Sequence, residues 1–168
     1  MEHCFNKTEV IYKNYSNILK KINTKSLHSK VIEYQKQNPC CKSSNNCTHP
    51  KFSTDEFLNK KFKKLENSLL NTLKDKEKIK MINMWAYITF SKQKTKPLWH
   101  NHVREKHERV LSNVCYLTPT KIGTEFKNGF VIKPQINYWY TWDGSLLHRP
   151  IESLTKNTRI VIAADVYF

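Results

Sequence analysis

The feature that most restricts the fold is a change of hydrophobic period near residue 80. Beyond it the chain breaks into short runs rich in β-branched and aromatic residues. They are MWAYITF (84–90), LWHNHV (98–103), RVLSNVCYL (109–117), GFVIK (129–133), INYWYTW (136–142), SLLHRPIE (145–152) and TRIVIAADVYF (158–168). Pro, Gly, Asn or Lys clusters separate them, and Asp143-Gly144 is a hairpin-turn signal. So many short strands in so little chain close as a β-sandwich or jelly roll.

The residues before this change read as helical. TKSLHSKVIEYQ places Leu27, Val31 and Tyr34 at helical spacing. STDEFLNKKFKKLENSLLNTLK opens on a Ser53/Glu56 capping box and carries Phe57, Leu58, Phe62, Leu65, Leu69 and Leu73 as one apolar stripe. A stripe that wide needs a sheet to lie on. The expected architecture is therefore mainly β with N-terminal helices (α+β). One domain spans residues 1–168, with a helical part over 1–80 and a jelly-roll core over 81–168.

The chain has 168 residues, enough to bury a core, and a formal charge of +15 from 29 basic and 14 acidic side chains. The excess is spread over both halves, so it is no charged tail. Such a field favours encounter with nucleic acid or an acidic partner, although an AT-rich coding bias toward Lys, Asn and Ile gives the same composition. No apolar run approaches the ~20 residues of a membrane span. The first residues, MEHCFNKTEV, show no signal-peptide pattern, which gives an expectation of an intracellular protein. Only three glycines occur in the chain, and none forms a phosphate-cradling loop.

The five cysteines, an odd number, argue against a disulfide framework. Cys40, Cys41 and Cys47 with His49 form a soft-ligand cluster in PCCKSSNNCTHP. Its spacing matches no ordinary zinc knuckle.

Chemistry gathers in KPLWHNHVREKHERV. On a strand, residues i and i+2 share a face, so His100 and His102 project together with Asn101 turned away. Two imidazoles so placed close on one metal ion when a third ligand arrives from elsewhere, and His148 in a later strand is the best candidate. Imidazole suits iron, zinc, copper and nickel alike. Arg159 stands in an otherwise apolar strand, where a guanidinium needs an acid partner. Either a protein carboxylate or the carboxylate of a bound small molecule would serve.

H-x-H on one strand, a distal His in SLLHRPIE and an Arg about ten residues beyond resemble the Fe(II)/2-oxoglutarate-dependent oxygenases. LWHNHVREKHERVLSNVCYL is similar to the phage and bacterial branch of that superfamily. TRIVIAADVYF has some likeness to the closing strand of the aspartyl/asparaginyl β-hydroxylases. The resemblance covers Met84 to Phe168 and implies a double-stranded β-helix, a jelly roll of cupin type buttressed by helices. It implies Fe(II) held by His100 and His148, with His102 or a water at the third position. It implies O2 and 2-oxoglutarate as co-substrates, the latter bound by Arg159 with a hydroxyl from Tyr116 or Thr158. His102 stands where most of the family has a carboxylate, and Glu105 and His107 are nearby substitutes. Trp99, Tyr87, Tyr138 and Trp139 are expected around the pocket. The activity implied is hydroxylation of a C–H bond in an unidentified substrate, anionic or a nucleic acid by the charge argument. A three-His metal dioxygenase without 2-oxoglutarate and a non-catalytic basic β-sandwich are the competing readings.

Overall fold

The run RIVIAADVY is buried along nearly its whole length, with Ile, Ile, Ala and Val on one face alternating with Arg, Val, Ala, Asp and Tyr on the other. It forms the strand around which the rest is arranged. The computed structural model describes residues 2–6, 9–20, 25–26, 29–30, 33, 47–48, 56–89, 98–104, 109–121, 123–151 and 159–168. Its strands are β1 (Glu2–Asn6), β2 (Glu9–Tyr15), β3 (Cys47–Thr48), β4 (Met81–Thr89), β5 (Val110–Tyr116), β6 (Thr124–Phe126), β7 (Tyr138–Asp143), β8 (His148–Pro150) and β9 (Arg159–Tyr167). Helices α1 (Asn17–Lys20) and α2 (Glu56–Leu70) accompany them among the described residues.

Seven strands form one sheet in the order β1-β2-β7-β5-β9-β4-β3, and β6 pairs with β8 in a second, two-stranded sheet. β9 lies between β4 and β5 and is antiparallel to both. Its alternate residues serve two different cores. Ile160, Ile162, Ala164 and Val166 join Met84, Ala86, Cys115 and Trp139 beneath the helix side chains Phe62, Leu65 and Leu69 and beneath Leu73 just past the helix end. On the opposite face, Val161 joins Val114, Tyr116, Tyr140 and Trp142, which pack against Phe126 and Ile132. Each buried aliphatic side chain contributes about 1.5–3 kcal/mol to holding these layers together. The fold is mainly β, a large sheet backed by helices and faced by a small sheet, as a jelly roll requires.

The helical stripe lies on the sheet as its spacing predicts, with Leu65 and Leu69 fully buried. The side chains of Phe57 and Leu58, and the Ser53 cap, fall outside the described residues. So do Leu27, Val31 and Tyr34, although Lys25, Ser26, Ser29, Lys30 and Glu33 around them are helical.

Three expectations need correction. Residues 2–15 are not helical: β1 and β2 form an antiparallel hairpin, and β2 extends the large sheet along β7. LWHNHV is not a ladder strand, because among 98–103 only His100 forms a bridge, to His148. GFVIK likewise reduces to a bridge of Val131 with Glu125. The segment before it supplies β6. Asp143-Gly144 forms a turn, closed by Leu146 N–H donating to the Asp143 carbonyl at 3.1 Å, but not a hairpin, since β7 and β8 belong to different sheets. That turn carries the chain from the large sheet to the small one. No described helix is long and apolar enough to cross a membrane.

Candidate metal centre

The site is built where the small sheet meets the mouth of the large one. His100 and His148 face each other across a two-hydrogen-bond bridge, each backbone N–H donating to the other's carbonyl at 3.0 and 2.9 Å. Two residues on, the His102 N–H donates to the Gly144 carbonyl at 2.8 Å. The H-x-H segment is thus anchored at both histidines against 144–148. This backbone arrangement, rather than a regular strand, sets the side-chain directions.

The three rings cluster. Their potential ligand atoms all lie within 4.8 Å of one another, a span that one ion with bonds of about 2.1 Å can draw together. His102 and His148 stack at 5.1 Å with 14° between planes. His148 is buried, His102 half-buried and His100 exposed, so the group opens to solvent on the His100 side.

Each Nδ1 is already engaged. That of His100 lies 3.0 Å from the Leu98 carbonyl, and that of His148 lies 2.7 Å from the Leu146 carbonyl. That of His102 lies 2.7 Å from Oδ2 of Asp165. A carbonyl only accepts, so these contacts place the ring proton on Nδ1 and leave the Nε2 lone pair for an ion. Burial reinforces this by disfavouring the cation. It lowers the His148 pKa from 6.5 to about 3, opposed by the Leu146 hydrogen bond and aided by the neighbouring His100 and His102. Partial desolvation of its ring by the packed neighbours lowers His100 in the same direction, although one side of the residue stays open to solvent. Neutral imidazole is the form that binds metal.

Alternation along β9 brings Arg159, Val161, Ala163 and Asp165 to the same cavity as the three histidines. Trp85, Ser112, Thr124 and Trp142 complete much of its wall. Arg159 is 3% exposed. Its Nη1 donates to the Ile151 carbonyl at 3.4 Å, and its guanidinium lies 5.3 Å from the Tyr116 ring. The Tyr116 hydroxyl meets Thr124 Oγ1 at 3.0 Å, and burial raises the phenol's pKa. Tyr116 therefore lies behind Thr124, and it is Thr124 that faces the cavity. Trp142 stands edge-on to His148 at 5.0 Å, and its buried indole N–H has no acceptor among the described residues.

The structure therefore brings His100, His102, His148 and Arg159 around one cavity, with Tyr116 one shell out. Thr158, Glu105 and His107 lie outside the described residues, as do Cys40, Cys41, His49 and the Tyr87 side chain. Cys47 sits in β3. Trp139 belongs to the helix-side core, and Tyr138 packs against Tyr15. Trp99 is stacked under Arg149, 4.3 Å away, and Arg149 is itself ion-paired with Glu125. The aromatic wall is Trp85 and Trp142 instead. The sequence reading missed Thr124, Trp142 and the role of Asp165. The period-two pattern of TRIVIAADV was the one available sign that Asp165 shares a face with Arg159.

No protein-family model and no curated protein sequence matches the chain. Solved structures do. A viral collagen prolyl hydroxylase from Paramecium Bursaria Chlorella virus-1 superposes with TM-score 0.58 at 18% identity, covering 94% of this chain and 90% of that one. The same hydroxylase in its 2OG complex gives TM-score 0.52 at 14% identity, over 94% and 96%. A prolyl-4-hydroxylase from Pseudomonas putida gives 0.59 at 8% identity, over 95% and 93%. At these identities the likeness is one of fold, and it is the fold that the resemblance in the sequence implies.

Proposed function

We propose that the chain is an Fe(II)- and 2-oxoglutarate-dependent dioxygenase that hydroxylates a C–H bond of its substrate. One observation carries this reading. Three imidazoles converge, each with its Nδ1 held by an oxygen of the chain, so that their Nε2 atoms form a ready-made donor set. Imidazole nitrogen suits Fe(II). Bound iron with 2-oxoglutarate would supply the oxygen activation needed for hydroxylation.

The chain's own residues supply binding, orientation and exclusion of water. His100, His102 and His148 would hold the ion. Arg159, along β9 in the same cavity, would take the far carboxylate of 2-oxoglutarate through its fork of N–H donors. The Thr124 hydroxyl, backed by Tyr116, would add a hydrogen bond beside it, and Thr158 is a further hydroxyl proposed for that end. Val161 and Ala163 would keep the cavity wall dry. Leu98, Val103 and Leu147, each next to or near a histidine of the set, are large apolar side chains left exposed. They suit the docking of a substrate at the mouth. Because the fold is that of prolyl hydroxylases, a proline-containing peptide is the first substrate class to try.

One specific observation favours a second reading. The donor set contains no carboxylate, as in a three-His dioxygenase that needs no 2-oxoglutarate. Oxygen consumption and succinate formation separate the two. With Fe(II), the protein is expected to convert 2-oxoglutarate to succinate, faster with a true substrate from a panel of proline peptides, other amino acids and nucleosides. Arg159→Ala should weaken 2-oxoglutarate binding by about 10–100-fold, the weight of a charged hydrogen-bonded contact, with Fe(II) still bound. Oxygen uptake that proceeds without 2-oxoglutarate would establish the second reading, and no turnover with any panel member would sink the first.

A further inference from the structure

We infer that Asp165 is a positioning residue for the metal centre, supplying through His102 the negative charge that a directly bound carboxylate would otherwise give. This rests on the metal-binding reading above and goes beyond it. Asp165 is 3% exposed, in the middle of the large sheet, directly opposite Ser112 on β5 and Asn83 on β4. A carboxylate buried there is costly unless positive charge is near. Its Oδ1 accepts a hydrogen bond from Ser112 Oγ at 3.2 Å, and Tyr167 Oη donates to Oδ2 at 3.4 Å. Both are neutral donors. Among the described residues the basic side chain that meets it is His102, whose Nδ1 lies 2.7 Å from Oδ2.

The His102 ring has two nitrogens. One faces the carboxylate, and the other is left for the group shared with His100 and His148. A divalent ion on that second nitrogen would put positive charge on the imidazole and offset the buried anion. The stack of Trp85 on His102, 5.8 Å between centroids and 25° between planes, holds the ring in this orientation. Charge counting agrees. Three neutral imidazoles leave a divalent ion at +2, and a carboxylate one ring away brings the local sum to +1. That is the same sum as two imidazoles with a bound carboxylate. Outer partners of this kind raise ligand basicity and fix ring orientation, and their loss weakens metal binding by about 10–100-fold.

The test uses Co(II), whose visible bands report its ligands, titrated into the full chain. Asp165→Asn keeps an acceptor for the His102 Nδ1 proton but removes the charge, and Asp165→Ala removes both. Co(II) affinity should fall by about 10-fold in the first and about 100-fold in the second, with shifted bands. In a His102→Ala background, Asp165→Asn should change the affinity no further, because the effect runs through the ring. An effect that persists in that background shows a merely structural role and overturns the inference. Unchanged affinity in Asp165→Asn overturns it as well. If the wild-type chain binds no Co(II), the metal reading itself fails. Should the Asp165 variants not fold, ring-nitrogen NMR of the wild-type chain with Zn(II) decides. The His102 Nδ1 proton should persist while its Nε2 resonance moves, and an Nε2 signal unmoved by Zn(II) contradicts the inference.

Discussion

His148 shows how a residue's surroundings choose its chemistry. Burial and two neighbouring imidazoles hold its pKa near 3, well below 6.5. In the metal-free protein the unfolded chain takes up a proton as pH falls through 6.5, and the folded chain does not until about 3. Stability is therefore unaffected above pH 6.5 and declines between 6.5 and 3, by up to about 1.4 kcal/mol per pH unit from this one group. His148→Asn, which cannot titrate, should flatten the slope of unfolding free energy against pH in that window. An unchanged slope, measured by denaturant titration at several pH values, would contradict the account. The grouping of His100 with His102 was legible from their spacing, although the backbone anchors at 144 and 148, not strand alternation, set their directions. The contact between His102 and Asp165 was not, since 63 residues separate them and nothing in either neighbourhood marks the other.

Among the elements, the joint between α2 and β7 is held by polar as well as apolar contacts. Ser68 is buried on the helix; it accepts the Trp139 indole N–H at 3.0 Å and shares a hydrogen bond with Ser16 at 2.6 Å. Ser68→Ala leaves both partners buried and unsatisfied, and should cost about 1–3 kcal/mol. A loss under about 0.5 kcal/mol, the range of an ordinary surface change, would show that the joint does not depend on it. The helix and β4, β5, β7 and β9 were readable from periodicity, because each carries its own apolar pattern. The N-terminal hairpin was not: β2 owes its place to pairing with β7, and its residues EVIYKNY hold polar side chains on both faces. β6, at three residues, is too short to show a period, whereas β8 lies inside the run SLLHRPIE read as a strand. Their pairing is decided by the histidine bridge and by Phe126 against Trp142 at 5.3 Å.

For the molecule as a whole, the large sheet supplies rigidity and β9 links the two functions of the site. One end of that strand presents Arg159, the other Asp165, and the alternate face anchors the helices. The small sheet then brings His148 and, through it, His100 and His102 to the open side. Mutations that preserve this layering should leave the cluster intact, which is why a site so distant in sequence is geometrically narrow. The charge of +15 is a property of the same scale, and it favours encounter with anionic molecules without choosing one. The central claim is that the imidazoles of His100, His102 and His148 bind a single iron. The most direct measurement is anomalous diffraction at the iron edge from crystals loaded anaerobically with Fe(II). The account predicts one peak at about 2.1 Å from all three Nε2 atoms. A peak elsewhere, or Nε2 atoms hydrogen-bonded to the protein with no iron between them, would contradict it.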